Sequence, residues 1–236
     1  MIIRTYPPVA HRGLHGSGKA ENSMEAFSEA FAQGFGVETD IRVCRDALVL
    51  SHDPVYTRAD GTKLAIKKHT RAELGGIPTV GALLRLCRGR APLMLEVKCA
   101  LGLRLFSRLK PLLRKYRGDY CIVSFSPLAL LMSRIFLPNA PRGQLLLSQE
   151  HLKRKMPRFA ARAVGHILPL RLIRPDFLSL ELAETPTAGA ARALKKGMDA
   201  SVWTIRSTED MVKAEAMLAP FGKLPVLIFE KNGSGQ

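Results

Sequence analysis

Glu38 and Asp40 stand one residue apart in the run Gly36-Val37-Glu38-Thr39-Asp40-Ile41-Arg42-Val43, whose composition reads as a β-strand. Side chains alternate across a strand, so the two carboxylates share one face while Val37, Thr39 and Ile41 share the other. Two carboxylates on an inward face cannot both stay ionised unaided. A divalent cation or an arginine must compensate, or a pKa must rise. Hard oxygen donors at this spacing suit Mg²⁺ or Ca²⁺, with Mn²⁺ a further candidate. Taken alone, the pair reads first as a solvent-exposed one at a strand end. A second run, Leu93-Met94-Leu95-Glu96-Val97-Lys98, repeats the pattern: Leu93, Leu95 and Val97 face one side, Met94, Glu96 and Lys98 the other. A buried carboxylate and ammonium are expensive unpaired; they could satisfy each other, or a metal ion and a phosphate. Two histidines complete the set. His11 precedes Arg12 and loop glycines, and His52 follows the apolar run Ala47–Leu50. Two histidines can act as general base and general acid on opposite sides of a reacting centre.

These residues need a scaffold that brings strand ends together. Short β-rich runs alternate with helical ones along the whole chain. The expected strands are 9–13, 36–43 (with 47–52 extending or returning from it), 92–98, 120–125, 142–148, 177–182, 200–205 and 225–230. The expected helices are 22–33, 80–88, 101–116, 127–136, 152–168, 188–196 closed by Gly197, and one starting at Ser207, where Asp210 three residues on resembles a capping box. Eight strands separated by helices argue for parallel pairing through right-handed crossovers and closure into a single (β/α)8 TIM barrel. The length of 236 residues suits one such barrel, and no linker breaks the pattern, so residues 1–236 read as one domain with a frayed tail over 231–236. In a barrel the site lies at the C-terminal ends of the strands, which is where Glu38, Asp40, Glu96, His11, His52, Arg12 and Lys98 fall.

The ordered set His11-Arg12-Gly13, Glu21-Asn22 with Ala26-Phe27, Glu38-Thr39-Asp40, Ser51-His52-Asp53-Pro54 and Leu95-Glu96-Val97-Lys98 closely resembles the glycerophosphodiester phosphodiesterase family. Val123-Ser124-Phe125 and Val202-Trp203-Thr204-Ile205 extend the resemblance over nearly the whole chain. The resemblance implies metal-dependent hydrolysis of glycerophosphodiesters to glycerol 3-phosphate and an alcohol. It implies a divalent ion at Glu38, Asp40 and Glu96, His11 and His52 as the acid–base pair, and Arg12 and Lys98 on the phosphate. Glu21 and Asn22 would lie in the loop after the first strand, near the substrate. Trp203 would line the cleft, though a core position on its strand is an equal reading. The sequence departs from the family in two places. Asp46-Ala47 stands where members commonly carry Asp-Gly, which removes a residue that tolerates φ > 0. The last strand carries Glu230 where many members have an aspartate.

The net charge of +16 points to anionic partners. Basic residues cluster at Arg104–Arg117 and again at Lys153–Arg174, the second stretch carrying no acidic residue. The second reads either as an outer barrel helix with a solvated face or as a basic amphipathic helix on an anionic membrane surface. The latter would favour a lysophospholipase D or other lipid phosphodiesterase at the inner leaflet. A basic nucleic-acid-binding protein ranks low: aromatics are 6% and no recognised motif is present. No apolar run reaches the roughly 20 residues of a membrane span, and no secretory signal opens the chain, so cytoplasmic residence is expected. The four separated cysteines read as small buried hydrophobes.

Overall fold

The computed structural model describes residues 3–99, 102–155 and 173–231. The strands are β1 (Val9–His11), β2 (Gly36–Val43), β3 (Leu48–Leu50), β4 (Val55–Thr57), β5 (Lys63–Ala65), β6 (Leu93–Val97), β7 (Tyr120–Ser124), β8 (Arg142–Leu146), β9 (Phe177–Glu181), β10 (Asp199–Ile205) and β11 (Val226–Phe229). The α-helices are α1 (Met24–Ala32), α2 (Val80–Cys87), α3 (Leu103–Lys115), α4 (Pro127–Phe136), α5 (Gln149–Lys155), α6 (Ala188–Lys195) and α7 (Thr208–Leu218). Eight of the strands close on themselves in the order β1-β2-β6-β7-β8-β9-β10-β11, every pair parallel, with β11 returning to β1. The expected barrel is therefore present. The run around Leu48 returns rather than extends: β3 lies antiparallel to β2, with Ile41 opposite Leu50. The tight turn between them needs no φ > 0 residue. Cys44 N–H donates to Ala47 C=O at 3.0 Å, and Asp46 accepts from the backbone N–H of Arg71 at 2.8 Å.

The alternation read from the sequence becomes two separate apolar layers. Outward-facing Val37, Ile41, Leu93, Leu95 and Val97 join the helices in one cluster. Inward-facing Met94, Cys121, Val123, Leu145 and Phe177 fill the barrel in another, so the interior is a packed plug rather than a pore. Gly143 makes room for it. A Cβ there would stand 2.4 Å from the Phe177 ring, closer than real Cβ atoms approach their neighbours. Side-chain caps start most helices: Ser23, Thr79, Ser126, Thr187 and Ser207 each accept a backbone N–H three residues on. At Ser207 the reciprocal bond of a capping box is displaced by one residue, because Asp210 takes the N–H of Arg206 at 2.8 Å. The helix expected over 152–168 is described only as α5, which begins earlier, at Gln149. Residues 156–172 and the tail 232–236 lie outside the described residues. Cys44, Cys87 and Cys121 are buried, and all four thiols are free.

Candidate active site

Strand register sets the site. β2 pairs with β1 so that His11 lies opposite Glu38, and with β6 so that Asp40 lies opposite Glu96. Ligand oxygens of Glu38, Asp40 and Glu96 all come within 4.8 Å of one another, and all three residues are buried. Two cations face them. Lys98 Nζ lies 2.7 Å from Glu96 and 3.0 Å from Asp40, and Arg12 Nε lies 3.3 Å from Asp40. Three carboxylates against two cations leave negative charge uncompensated. Burial, with Asp40 and Glu96 adding to it, pushes the Glu38 carboxyl well above the usual carboxylate range. Burial also pushes Asp40 upward, but Lys98 and Arg12, helped by the amide of Asn22, outweigh it and hold that carboxyl low. The residues fit a divalent cation. Oε1 of Glu38 is buried with no hydrogen-bond partner among the described residues, which is expensive unless something else takes it up. The donors are all hard oxygens, as Mg²⁺ or Ca²⁺ requires.

The loop after β1 is shaped for this contact. Arg12 adopts φ 58° and Gly13 φ 82°. A Cβ on Gly13 would come within 2.8 Å of the Ala26 backbone, so α1 can approach only because that residue is glycine. The turn aims the Arg12 backbone N–H at Glu38, 3.3 Å away, and the guanidinium also reaches Glu21 at 2.5 Å. Asn22, at φ 56°, is buried. It donates to Asp40 at 3.0 Å and accepts from the Thr39 hydroxyl at 2.6 Å. Glu21 and Asn22 thus contact Arg12 and Asp40, and neither is among the residues that line the cleft.

The two histidines line one cleft of about 620 Å³ with Arg12, Glu38, Glu96 and Lys98. His11 has one nitrogen 2.5 Å from Glu230 and the other 3.7 Å from Glu38. His52 is more exposed. Its Nδ1 meets Asp53 at 2.9 Å, and Arg42 donates to its carbonyl at 3.0 Å, tying its loop to β2. Trp203 lines the same cleft, edge-on to Phe125 at 5.8 Å, and also packs against the barrel interior.

Three groups at this end of the barrel gain partners that the sequence does not give, the first being Glu230, which the sequence marks only as a departure from the family. Glu230 joins His11 to Arg206, accepting from Arg206 Nε at 2.9 Å. On the far wall His151, in α5, lies 2.8 Å from Glu181 at the end of β9, which also accepts the Ser148 N–H at 2.7 Å. Arg42 is the third. The hydrogen bond to His11, which outweighs burial, lowers the Glu230 carboxyl to about 2 from an ordinary value of 4.5. A carboxyl depressed by folding stabilises the fold at pH above its unfolded value and loses that contribution as pH falls through its folded value. The urea midpoint of the wild type should therefore exceed that of Glu230→Gln at pH 6. The gap should narrow below about pH 4.5 and close near pH 2. A gap that stays constant over that range would show that the carboxylate contributes no linked stability.

The model of the glycerophosphoryl diester phosphodiesterase family matches residues 11–84, the segment that carries His11 through His52. The resemblance read from the sequence is borne out there. No curated protein matches the chain. Solved structures share the fold across nearly all of it. A phosphodiesterase of Oleispira antarctica in complex with the product sn-glycerol-3-phosphate is 21% identical with a TM-score of 0.74, covering 98% of this chain and 95% of that one. A glycerophosphodiester phosphodiesterase of Agrobacterium tumefaciens is 18% identical with a TM-score of 0.68, covering 97% and 98%.

Proposed function

We propose that this chain hydrolyses glycerophosphodiesters to glycerol 3-phosphate and an alcohol. The observation that carries the reading is the convergence of Glu38, Asp40 and Glu96 with Arg12 and Lys98 in the cleft that also holds His11 and His52. Glu38, Asp40 and Glu96 would hold Mg²⁺ or Ca²⁺, which when bound neutralises charge on the phosphate oxygens. Arg12 and Lys98 add fixed positive charge at the same phosphate.

The histidines divide the proton transfers. His11, backed by the Glu230 carboxylate, is the base. The carboxylate fixes its tautomer and stabilises the imidazolium formed when the ring takes a proton. That proton comes from the substrate's own glycerol hydroxyl as its oxygen bonds to phosphorus. His52, on the exposed loop, donates a proton to the departing alcohol oxygen as its bond to phosphorus breaks. A cyclic phosphate results. Water then opens it with the histidine roles exchanged, giving glycerol 3-phosphate and restoring both rings. Trp203 and Phe125 offer apolar surface to the departing arm.

The test is turnover by chelator-stripped protein on glycerophosphocholine, glycerophosphoethanolamine and glycerophosphoglycerol, with Mg²⁺, Ca²⁺ or Mn²⁺ restored singly. Release of glycerol 3-phosphate that depends on added metal is the expected result. No release from any substrate with any of the three ions would overturn the reading.

A further inference from the structure

Exposed apolar side chains are not spread evenly over this barrel. Among the described residues the exposed large ones are Val55, Leu103, Phe125, Leu128, Ile135, Met211, Val212 and Leu224. Ile135, near the C-terminal end of α4, and Leu224, just before β11, lie at the end of the barrel away from the site. The others follow strand C-termini. Val55 comes three residues after His52. Leu103 opens α3, beyond Lys98. Phe125 follows β7 and lines the cleft, and Leu128 lies in the first turn of α4. These four lie in the segments that follow neighbouring strands, β2 with its β3 return, β6 and β7, on the side of the mouth where the carboxylates sit; Met211 and Val212, in α7 after β10, stand apart from them. Single exposed leucines need no explanation, but apolar side chains gathered on one rim do.

The loop after the next strand, β8, leads into α5, and there the character changes. Lys153, Arg154 and Lys155 are all exposed, and Lys155 also lines the cleft. From His151 to Pro175 the sequence contains no aspartate or glutamate; Glu150, in the first turn of α5, is the one acidic residue of that helix against its three exposed cations. An apolar rim beside a basic edge, on a chain of net charge +16, is complementary to a surface that is apolar inside and anionic at its boundary. No described helix is long and apolar enough to cross a membrane.

We infer that the mouth of the barrel docks on an anionic bilayer, with Val55, Leu103, Phe125 and Leu128 entering the interface and Lys153, Arg154 and Lys155 meeting the headgroups. Docked this way, the cleft opens toward the lipid, and the fitting substrate is a phosphodiester whose glycerol carries an acyl chain. That last step rests on the proposed hydrolysis; the docking itself does not.

The test is co-sedimentation of the full chain with vesicles of phosphatidylcholine alone and of phosphatidylcholine mixed with phosphatidylglycerol. Wild type should sediment with the mixed vesicles only, and 0.5 M salt should weaken the binding, on the order of the Debye screening of surface charge. Leu103→Ser/Leu128→Ser, at two positions that do not line the cleft, should lower partitioning about tenfold or more through lost apolar burial. Ile135→Ser/Leu224→Ser at the opposite end should bind as wild type does. All three proteins should turn over soluble glycerophosphoglycerol equally, which shows that they are folded. Failure of wild type to bind mixed vesicles overturns the docking surface, as does equal binding by the rim variant or equal loss in the control variant. Docking without any hydrolysis would sink the proposed activity and leave the surface standing; hydrolysis without docking would do the reverse.

Discussion

Replacing His11 by asparagine should lower kcat on glycerophosphoglycerol by about 10²- to 10⁴-fold, the span over which a positioned acid or base contributes. Substitution of His52 by alanine should do the same on that substrate, but the two variants should part company when the leaving group changes. A natural alcohol leaves as a strong base and, in the proposed mechanism, takes a proton from His52. A p-nitrophenolate leaves without one. With a glycerophospho-p-nitrophenyl ester, p-nitrophenolate release in the first turnover should recover most of its lost rate in His52→Ala, while His11→Asn should remain slow, because the attacking hydroxyl still has to lose its proton; later turnovers of His52→Ala still lack the base that activates water on the cyclic phosphate. The assignment rests on geometry. His11 is held between Glu230 at 2.5 Å and Glu38 at 3.7 Å, whereas the partner of His52 is the exposed Asp53, and exposed pairs of that kind contribute little. Rescue of His11→Asn instead of His52→Ala by the activated ester would reverse the two roles. Equal losses on both substrates would remove the division altogether.

How much of this was legible in the sequence depends on how far each relation reaches along the chain. The placement of Glu38, Asp40 and Glu96 on one face follows from the two-residue period of a strand, and that rule needs no knowledge of neighbours. The helix Pro127–Phe136 and the start of α7 at Ser207 were equally readable, because a cap is a contact across three residues. The partners of His11 and His151 were not. Glu230 reaches His11 across 219 residues, only because β11 closes onto β1 with Ala10 beside Phe229. Arg206 reaches Glu230 across 24 residues, from beyond the end of the neighbouring strand, and His151 reaches Glu181 across 30. Periodicity says which side of a strand a residue faces. It does not give the height at which separate strands meet, and those contacts depend on that height. Asn22 illustrates the limit from the other side. The sequence places it near the site, but does not give its hydrogen bond to Asp40, made from a backbone at φ 56° that no pattern announces.

Glu38→Gln should abolish turnover while making the metal-free protein more stable. The two effects have one cause. Without an ion, Glu38 is a carboxyl buried beside Asp40 and Glu96, its ionised form opposed first by burial and then by both neighbours. An amide of the same shape removes that conflict, so the chelator-treated variant should melt above the chelator-treated wild type. Added Mg²⁺ or Ca²⁺ should then separate them in the other direction. An ion that binds only the folded state stabilises it by roughly 2.7 kcal/mol at a hundred times its dissociation constant. The wild type should gain accordingly, and the variant, one carboxylate short, should gain little. Activity alone could not make this argument, since many substitutions in a cleft destroy turnover. The crossing of two melting temperatures on addition of an ion is specific to a carboxylate that is costly when bare and useful when liganded. A variant that melts below wild type in chelator, and still gains fully from the ion, would mean that Glu38 is a structural acid and that the ion is held elsewhere.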